Sequence, residues 1–264
     1  WVLTLWRGDI HLTVPMLFVI GFIFTFINGG ITGLFLGNVA VDLPLSDTYF
    51  VIGHFHMVMG VSPILVIFGA IYHWYPKITG RMLNDTLGKL HFWLTLIGTY
   101  LIYLPMHYLG ILGLPRRYYA MGQTDFLPDS AQVMNAGISI AAVFVAVVQL
   151  IFLFNLYWSR RRGKPSGGNP WHATTLEWQT PQTPPAHGNW GPELPEVYRW
   201  AYDYSVPGAD QDFLPQNMPP DAGHATVDDH AAAPERAGED APTAAGVKLP
   251  GGDEPPGDPG EGRQ

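Results

Sequence analysis

The chain contains no cysteine, which excludes disulfides, thiolate metal sites and cysteine nucleophiles. Charge is scarce too: Asp, Glu, Lys and Arg make up 14% of the 264 residues, against 47% hydrophobic residues and 13% aromatics. Mean hydropathy is +0.10. Positive charge is short in one half and negative charge in the other. Residues 1–164 carry ten Lys/Arg and six Asp/Glu, a net charge of +4, while residues 165–264 carry four Lys/Arg and sixteen Asp/Glu, a net charge of −12. The first half reads as membrane protein and the second as an acidic, Pro/Gly-rich tail. Residues 1–6 read as the end of a helix whose start lies upstream, and the chain is expected to be a fragment or one piece of a split subunit.

Four apolar stretches have the roughly 20 residues needed to cross a bilayer. They cover about 14–36, 48–74, 87–104 and 133–158. Pro63 lies inside the second and is expected to kink it, with neighbouring helices compensating. Asp47 and Thr48 stand where an N-cap would. Gly29, Gly30 and Gly33 in the first span favour close helix packing. Lys and Arg in short loops set orientation. Arg7, Lys77, Arg81, Lys89, Arg160, Arg161, Arg162 and Lys164 share one side, which is expected to be cytoplasmic. Asp42, Asp47, Asp125 and Asp129 lie opposite, where Arg116 and Arg117 are the only basic residues.

Within the second span, "YFVIGHFHMVMG" places His54 and His56 one residue apart. Ionisable side chains inside a membrane are costly and usually functional. Positions i and i+2 of a helix point about 200° apart, so these two imidazoles cannot share one metal ion. They face two separate partners: either two hemes flanking one helix, or neighbouring helices bonded by polar side chains. The Arg116-Arg117 pair favours hemes. His54 is seven residues past Asp47, about 10 Å below the outer helix end. Heme propionates at that depth would reach the outer face, where arginine forks suit carboxylates.

The segments "DTYFVIGHFHMVMG", "YHWYPKITGRMLNDTLGKLHFW" and "LPMHYLGILGLPRRY", preceded by "GFIFTFINGGITGLFLGN", resemble subunit I of the heme-copper oxidases. The resemblance covers about residues 1–164, and "NPWHATTLEWQTPQTPP" resembles the tail of bacterial members. It implies an all-α, polytopic membrane bundle with four transmembrane helices, the end of a fifth and a cytoplasmic tail. By the same resemblance, His54 is the proximal ligand of the high-spin, oxygen-binding heme and hence catalytic. His56 is one axial ligand of the low-spin heme, Phe55 lies between the two hemes, and Arg116 and Arg117 hold the propionates. Heme A is implied, with heme O or B as alternatives. Family members often have His-Asp before "TYF", serving magnesium; here the pair is Ser46-Asp47. Asp47 could hold a hard cation through oxygen, or simply cap its helix.

The family's copper B ligands and the second low-spin heme ligand belong to earlier helices, so they fall to the N-terminal part of subunit I. Subunits II and III, cytochrome c and the lipid bilayer are the other implied partners, with no nucleic acid. The implied whole is a terminal oxidase of the bacterial inner membrane that reduces oxygen to water and pumps protons. A quinol oxidase of the same family and a heme-free transporter using His54 and His56 as proton relays are the rival readings. His73, His91 and His107 lie near helix ends and are expected to be interfacial or structural. His172, His187, His224 and His230 are expected to be solvated. Residues 165–216, rich in Trp, Tyr and Pro, are expected to pack on the inner surface. Residues 217–264 bury too little apolar surface to offset ordering entropy and are expected to be disordered.

Overall fold

The computed structural model describes residues 1–6, 8, 10–118, 126–181, 184–185, 189–190, 193–201 and 214–219. Arg7, Asp125, His187, His224, His230 and the acidic tail from residue 220 lie outside the described residues. Residues 1–218 form one compact unit, and the second unit begins at Pro219. Among the described residues the helices are α1 (Val2–Leu5), α2 (Val14–Leu36), α3 (Val39–Leu45), α4 (Tyr49–Phe55), a π-helical turn (His56–Val61), α5 (Ser62–Thr79), α6 (Asp85–Ile111), α7 (Asp129–Arg162) and a 3-10 turn (Leu176–Trp178). Among the described residues there is no β-strand, only the isolated bridges Thr48 to Pro115 and Arg81 to Pro165. Four continuous helical stretches are long and apolar enough to cross a membrane: Val14–Leu36, Tyr49–Thr79, Asp85–Ile111 and Asp129–Arg162.

Local chemistry sets most of the helix ends. Asn84 caps α6 by accepting from the Leu87 amide at 3.0 Å, and Asp85 in the first turn suits the positive end of the helix dipole. Gly80 closes α5 with φ 69°, a left-handed conformation that glycine adopts without strain. Arg160, Arg161 and Arg162 occupy the last turn of α7, where cations are favoured. The caps correct one expectation: Thr48, not Asp47, caps α4, its hydroxyl accepting from the Phe50 amide at 3.2 Å. Asp47 has φ 59° and turns its carboxylate elsewhere.

Pro63 does not produce a simple kink. Instead α4 passes into the π turn at His56, and α5 resumes at Ser62 with Pro63 in its first turn. Proline has no N–H to continue an α ladder. The widened turn accommodates this, with Ser62 Oγ donating to the Met57 carbonyl at 2.6 Å.

One apolar core joins α2, α5, α6 and α7 through Phe18, Leu65, Tyr72, Phe92 and Phe152. A second joins α6 to α7 near the opposite end through Ile102, Leu109, Leu114, Ala131 and Ile138. Buried polar groups are paired across the same interface. Asn155 and Ser159 of α7 both accept from the Asn84 amide, and Asn155 Nδ2 returns a bond to the Asn84 carbonyl at 3.0 Å. Elsewhere the spans present apolar side chains outward, as at Leu34, Val133, Ile140 and Val147.

After α7 the chain folds back under α5. The Met82 amide bonds the Lys164 carbonyl at 2.8 Å and the Ser166 amide bonds that of Gly80 at 3.0 Å. Trp171 donates to the His73 carbonyl at 2.9 Å. Its ring stacks on the His73 imidazole, while Trp178 meets that imidazole edge-on. Trp74 donates to Glu177, and Lys77 lies over the Trp178 ring. Residues 164–180 thus form a strap across the end of α5.

Candidate heme-ligand helix

The functional question centres on the α4–π segment, held between α2 and α6. Glycine allows both approaches. A Cβ on Gly29 of α2 would lie 2.8 Å from Met57 Cβ, and one on Gly33 would lie 2.8 Å from His54 Cε1. On the other side, a Cβ on Gly53 would lie 2.8 Å from the His107 ring of α6. Gly30, the remaining glycine of the triplet, faces open space. Two of the three glycines therefore serve close packing, one of them directly against an imidazole.

His54 and His56 leave the helix toward different neighbours. His54 Nδ1 lies 2.9 Å from the Gly29 carbonyl oxygen and 3.0 Å from Thr32 Oγ1, both in α2. The His56 ring stacks on Tyr103 of α6, with 5.1 Å between centroids and 13° between planes. Its Nδ1 lies 2.9 Å from the Ile52 carbonyl. A carbonyl only accepts, so in both residues Nδ1 carries the proton and Nε2 keeps its lone pair. Neither Nε2 has a hydrogen-bond partner among the described residues. An imidazole fixed through Nδ1–H to a carbonyl, with Nε2 free, is the arrangement expected of a metal-binding histidine. The residues present fit a heme, whose iron each imidazole would hold through Nε2. Phe55 sits between them, 40% exposed.

His91 contrasts with these two. It is fully buried. Its Nε2 bonds Gln149 Oε1 at 3.0 Å and its Nδ1 faces the Tyr72 hydroxyl, so both nitrogens are occupied and its role is structural. His107, expected at an interface or in a structural place, is buried inside α6. Its Nδ1 bonds the Tyr103 carbonyl at 2.8 Å, and its Nε2 is enclosed without a partner among the described residues. His73 lies within the strap contacts already described. Thr32, Gly33 and His107 were not singled out from sequence as neighbours of the ligand helix. The spacing of Gly29, Thr32 and Gly33 on one helical face was the signal for the first two.

Arg116 and Arg117 follow α6, and Arg116 is tied to the start of α4. The Arg116 amide donates to the Asp47 carbonyl at 2.8 Å and the Tyr49 amide donates to that of Leu114 at 2.9 Å. The Arg116 guanidinium also grips the Asp47 carboxylate, with Nε to Oδ1 at 2.7 Å. Arg117 is exposed, with φ 69°. Measured from Tyr49, the true start of α4, His54 lies about 8 Å down the helix. Among the described residues no group of three or more His, Cys, Asp or Glu could hold a metal ion. Asp47 has Arg116 as its partner, and a magnesium ion there would have to displace that pair.

Comparison with known proteins agrees with the helical geometry. The profile described as "Cytochrome C and Quinol oxidase polypeptide I" matches residues 1–159. The chain is 71% identical over 223 residues to "Alternative cytochrome c oxidase subunit 1" of Bradyrhizobium diazoefficiens, covering 84% of this chain and 38% of that protein. It is 46% identical over 206 residues to "Cytochrome c oxidase subunit 1" of Thermostichus vulcanus, covering 78% of this chain and 36% of that protein. A heme-copper terminal oxidase dimer solved by cryo-EM shares the fold at a TM-score of 0.50 and 22% identity, over 57% of this chain and 27% of that one. The chain spans less than two-fifths of the length of these curated relatives. With four membrane-crossing helices and a family match over more than half its length, the chain belongs to the cytochrome c and quinol oxidase polypeptide I family, the subunit I family of the heme-copper oxidases.

Proposed function

We propose that this chain is the C-terminal part of the catalytic subunit of a respiratory terminal oxidase that reduces oxygen to water with electrons from cytochrome c and pumps protons. The observation carrying this reading is the pair of imidazoles on one helix. Each has Nδ1–H held by a backbone carbonyl and, among the described residues, no hydrogen-bond partner at Nε2. His54 would hold the high-spin heme and His56 the low-spin heme. Hemes bound there would supply electron transfer and the oxygen-binding site, together with a copper ion held by histidines outside this chain. Phe55 separates the two ligands along the backbone.

Arg116 and Arg117 lie at the same end of the bundle as the start of α4, where they can neutralise propionates. Asp47 holds Arg116 in place, so that arginine is oriented before any carboxylate arrives. Heme A is the proposed form, with the N-terminal part of subunit I, subunits II and III and cytochrome c as partners. A bacterial inner membrane, with the tail cytoplasmic, is the proposed location. The basic residues at the ends of α5 and α7 support that orientation. A quinol donor is the second reading, favoured by the family's own description, which includes quinol oxidases. A dinuclear-copper motif in the accompanying second subunit decides between them.

The test is spectroscopic. In the assembled oxidase, His56→Ala should remove the low-spin signature preferentially. His54→Ala should abolish the CO-difference spectrum while the low-spin bands remain. Equal loss of both signatures from each variant, in assembled protein, would mean that the histidines do not serve separate hemes.

A further inference from the structure

We propose that Thr32 is a positioning residue for His54, moderating how strongly the imidazole is polarised through its Nδ1–H; this rests on the reading of His54 as a heme ligand. Thr32 Oγ1 makes two contacts. Its O–H donates to the Gly29 carbonyl at 2.6 Å, an ordinary back-bond three residues up a helix. The same oxygen lies 3.0 Å from His54 Nδ1. Because the hydroxyl proton is engaged by Gly29, Oγ1 can only accept from His54. The Nδ1–H is therefore shared between two acceptors, the Gly29 carbonyl at 2.9 Å and the threonine hydroxyl. One of those acceptors is itself already receiving a proton from the other.

The arrangement has two consequences. Two acceptors along α2 fix the rotation of the imidazole about its Cβ–Cγ bond, with Gly33 leaving the space the ring needs. The carbonyl, sharing its lone pairs with Thr32, pulls less on Nδ1–H than it would alone. Imidazole basicity toward a metal rises with the strength of the hydrogen bond at its other nitrogen. Threonine thus sets the ligand below its full donor strength. Removing the hydroxyl leaves a two-centre bond from Nδ1–H to an unshared carbonyl and makes the ring more imidazolate-like.

Resonance Raman spectroscopy of the ferrous, ligand-free holoenzyme reads this directly through the iron–histidine stretch. Thr32→Val should shift that band to higher frequency and lower the midpoint potential of the high-spin heme. Thr32→Ser should keep both at the wild-type values, since it keeps the hydroxyl. Thr32→Ala removes the same oxygen without adding volume and should reproduce the valine shift even where valine impairs assembly. An unmoved or downward-shifted band in the alanine variant overturns the role of Thr32. A band that persists in His54→Ala instead overturns the ligand assignment beneath it, so the two failures are distinguishable.

Discussion

At the residue scale, glycine at position 33 matters as much as the imidazole beside it. A Cβ there would lie 2.8 Å from His54 Cε1, and overpacking of this kind costs about 1–3 kcal/mol. The ring would leave the Gly29 carbonyl. Gly33→Ala is therefore expected to weaken CO binding at the high-spin heme while the low-spin spectrum stays near wild type, read by paired difference spectra. The arginines give a second prediction. Arg116→Gln should lower a heme midpoint potential in a spectroelectrochemical titration, because a nearby cation favours the reduced, less positive iron. Unchanged potentials with hemes present would remove the propionate role. The histidine pair was legible from spacing, since opposed directions follow from helical pitch alone. Asp47 was not: its apparent capping position gave way to an ion pair with a residue 69 positions further along, which no local pattern encodes.

At the element scale, α4 is short and depends on its neighbours. Its capping threonine is buried and also donates to the Leu45 carbonyl at 2.6 Å. Thr48→Ala should cost about 1 kcal/mol, seen as a lower thermal midpoint of heme release. Gly53→Ala should cost more, because the new methyl would meet both the His107 ring and the Tyr103 carbonyl of α6. It should widen the α4–α6 contact and disturb the low-spin heme first, since His56 stacks on the same Tyr103. Hydropathy located the first span from Val14 to Leu36 as observed. It shortened the third and fourth spans, because α6 continues through Pro105 and His107 to Ile111 and α7 includes polar first and last turns. Those ends lie beyond the apolar stretches, where caps and tertiary contacts rather than hydropathy decide. The short α3, with Pro44 inside it, left no periodic signal long enough to read.

On the scale of the whole molecule, the strap of residues 164–180 gives the tail two unequal parts. Trp178 is buried and touches both His73 and Lys77. Gln216 joins the strap, its amide bonding the Thr174 carbonyl at 3.0 Å. Truncation after Met218 should leave heme content and turnover near wild type. Truncation after residue 168 should lower assembled heme content, because it uncovers the end of α5. Equal heme content in the two truncations would show that the strap is dispensable. Composition had marked the boundary between aromatic-rich and acidic segments. The seating of the indoles against α5 came only with the fold, since which helix end they meet depends on the turn through Lys164 and Ser166.

The π turn carries a consequence for how this span can change over evolutionary time. From His56 to Val61 the backbone holds one residue more than an α-helix would need for the same turns. The segment bearing His54 and His56 is therefore out of phase with the segment that follows. A single deletion within the turn would return the helix to uniform pitch and leave Leu65 and Tyr72 in the core, whereas regular α pitch with all its residues kept would rotate everything below it by about 100° and move both side chains out. The turn works as a register insert. It lets the upper end turn His54 to α2 and His56 to Tyr103 of α6 while the lower end follows the demands of packing.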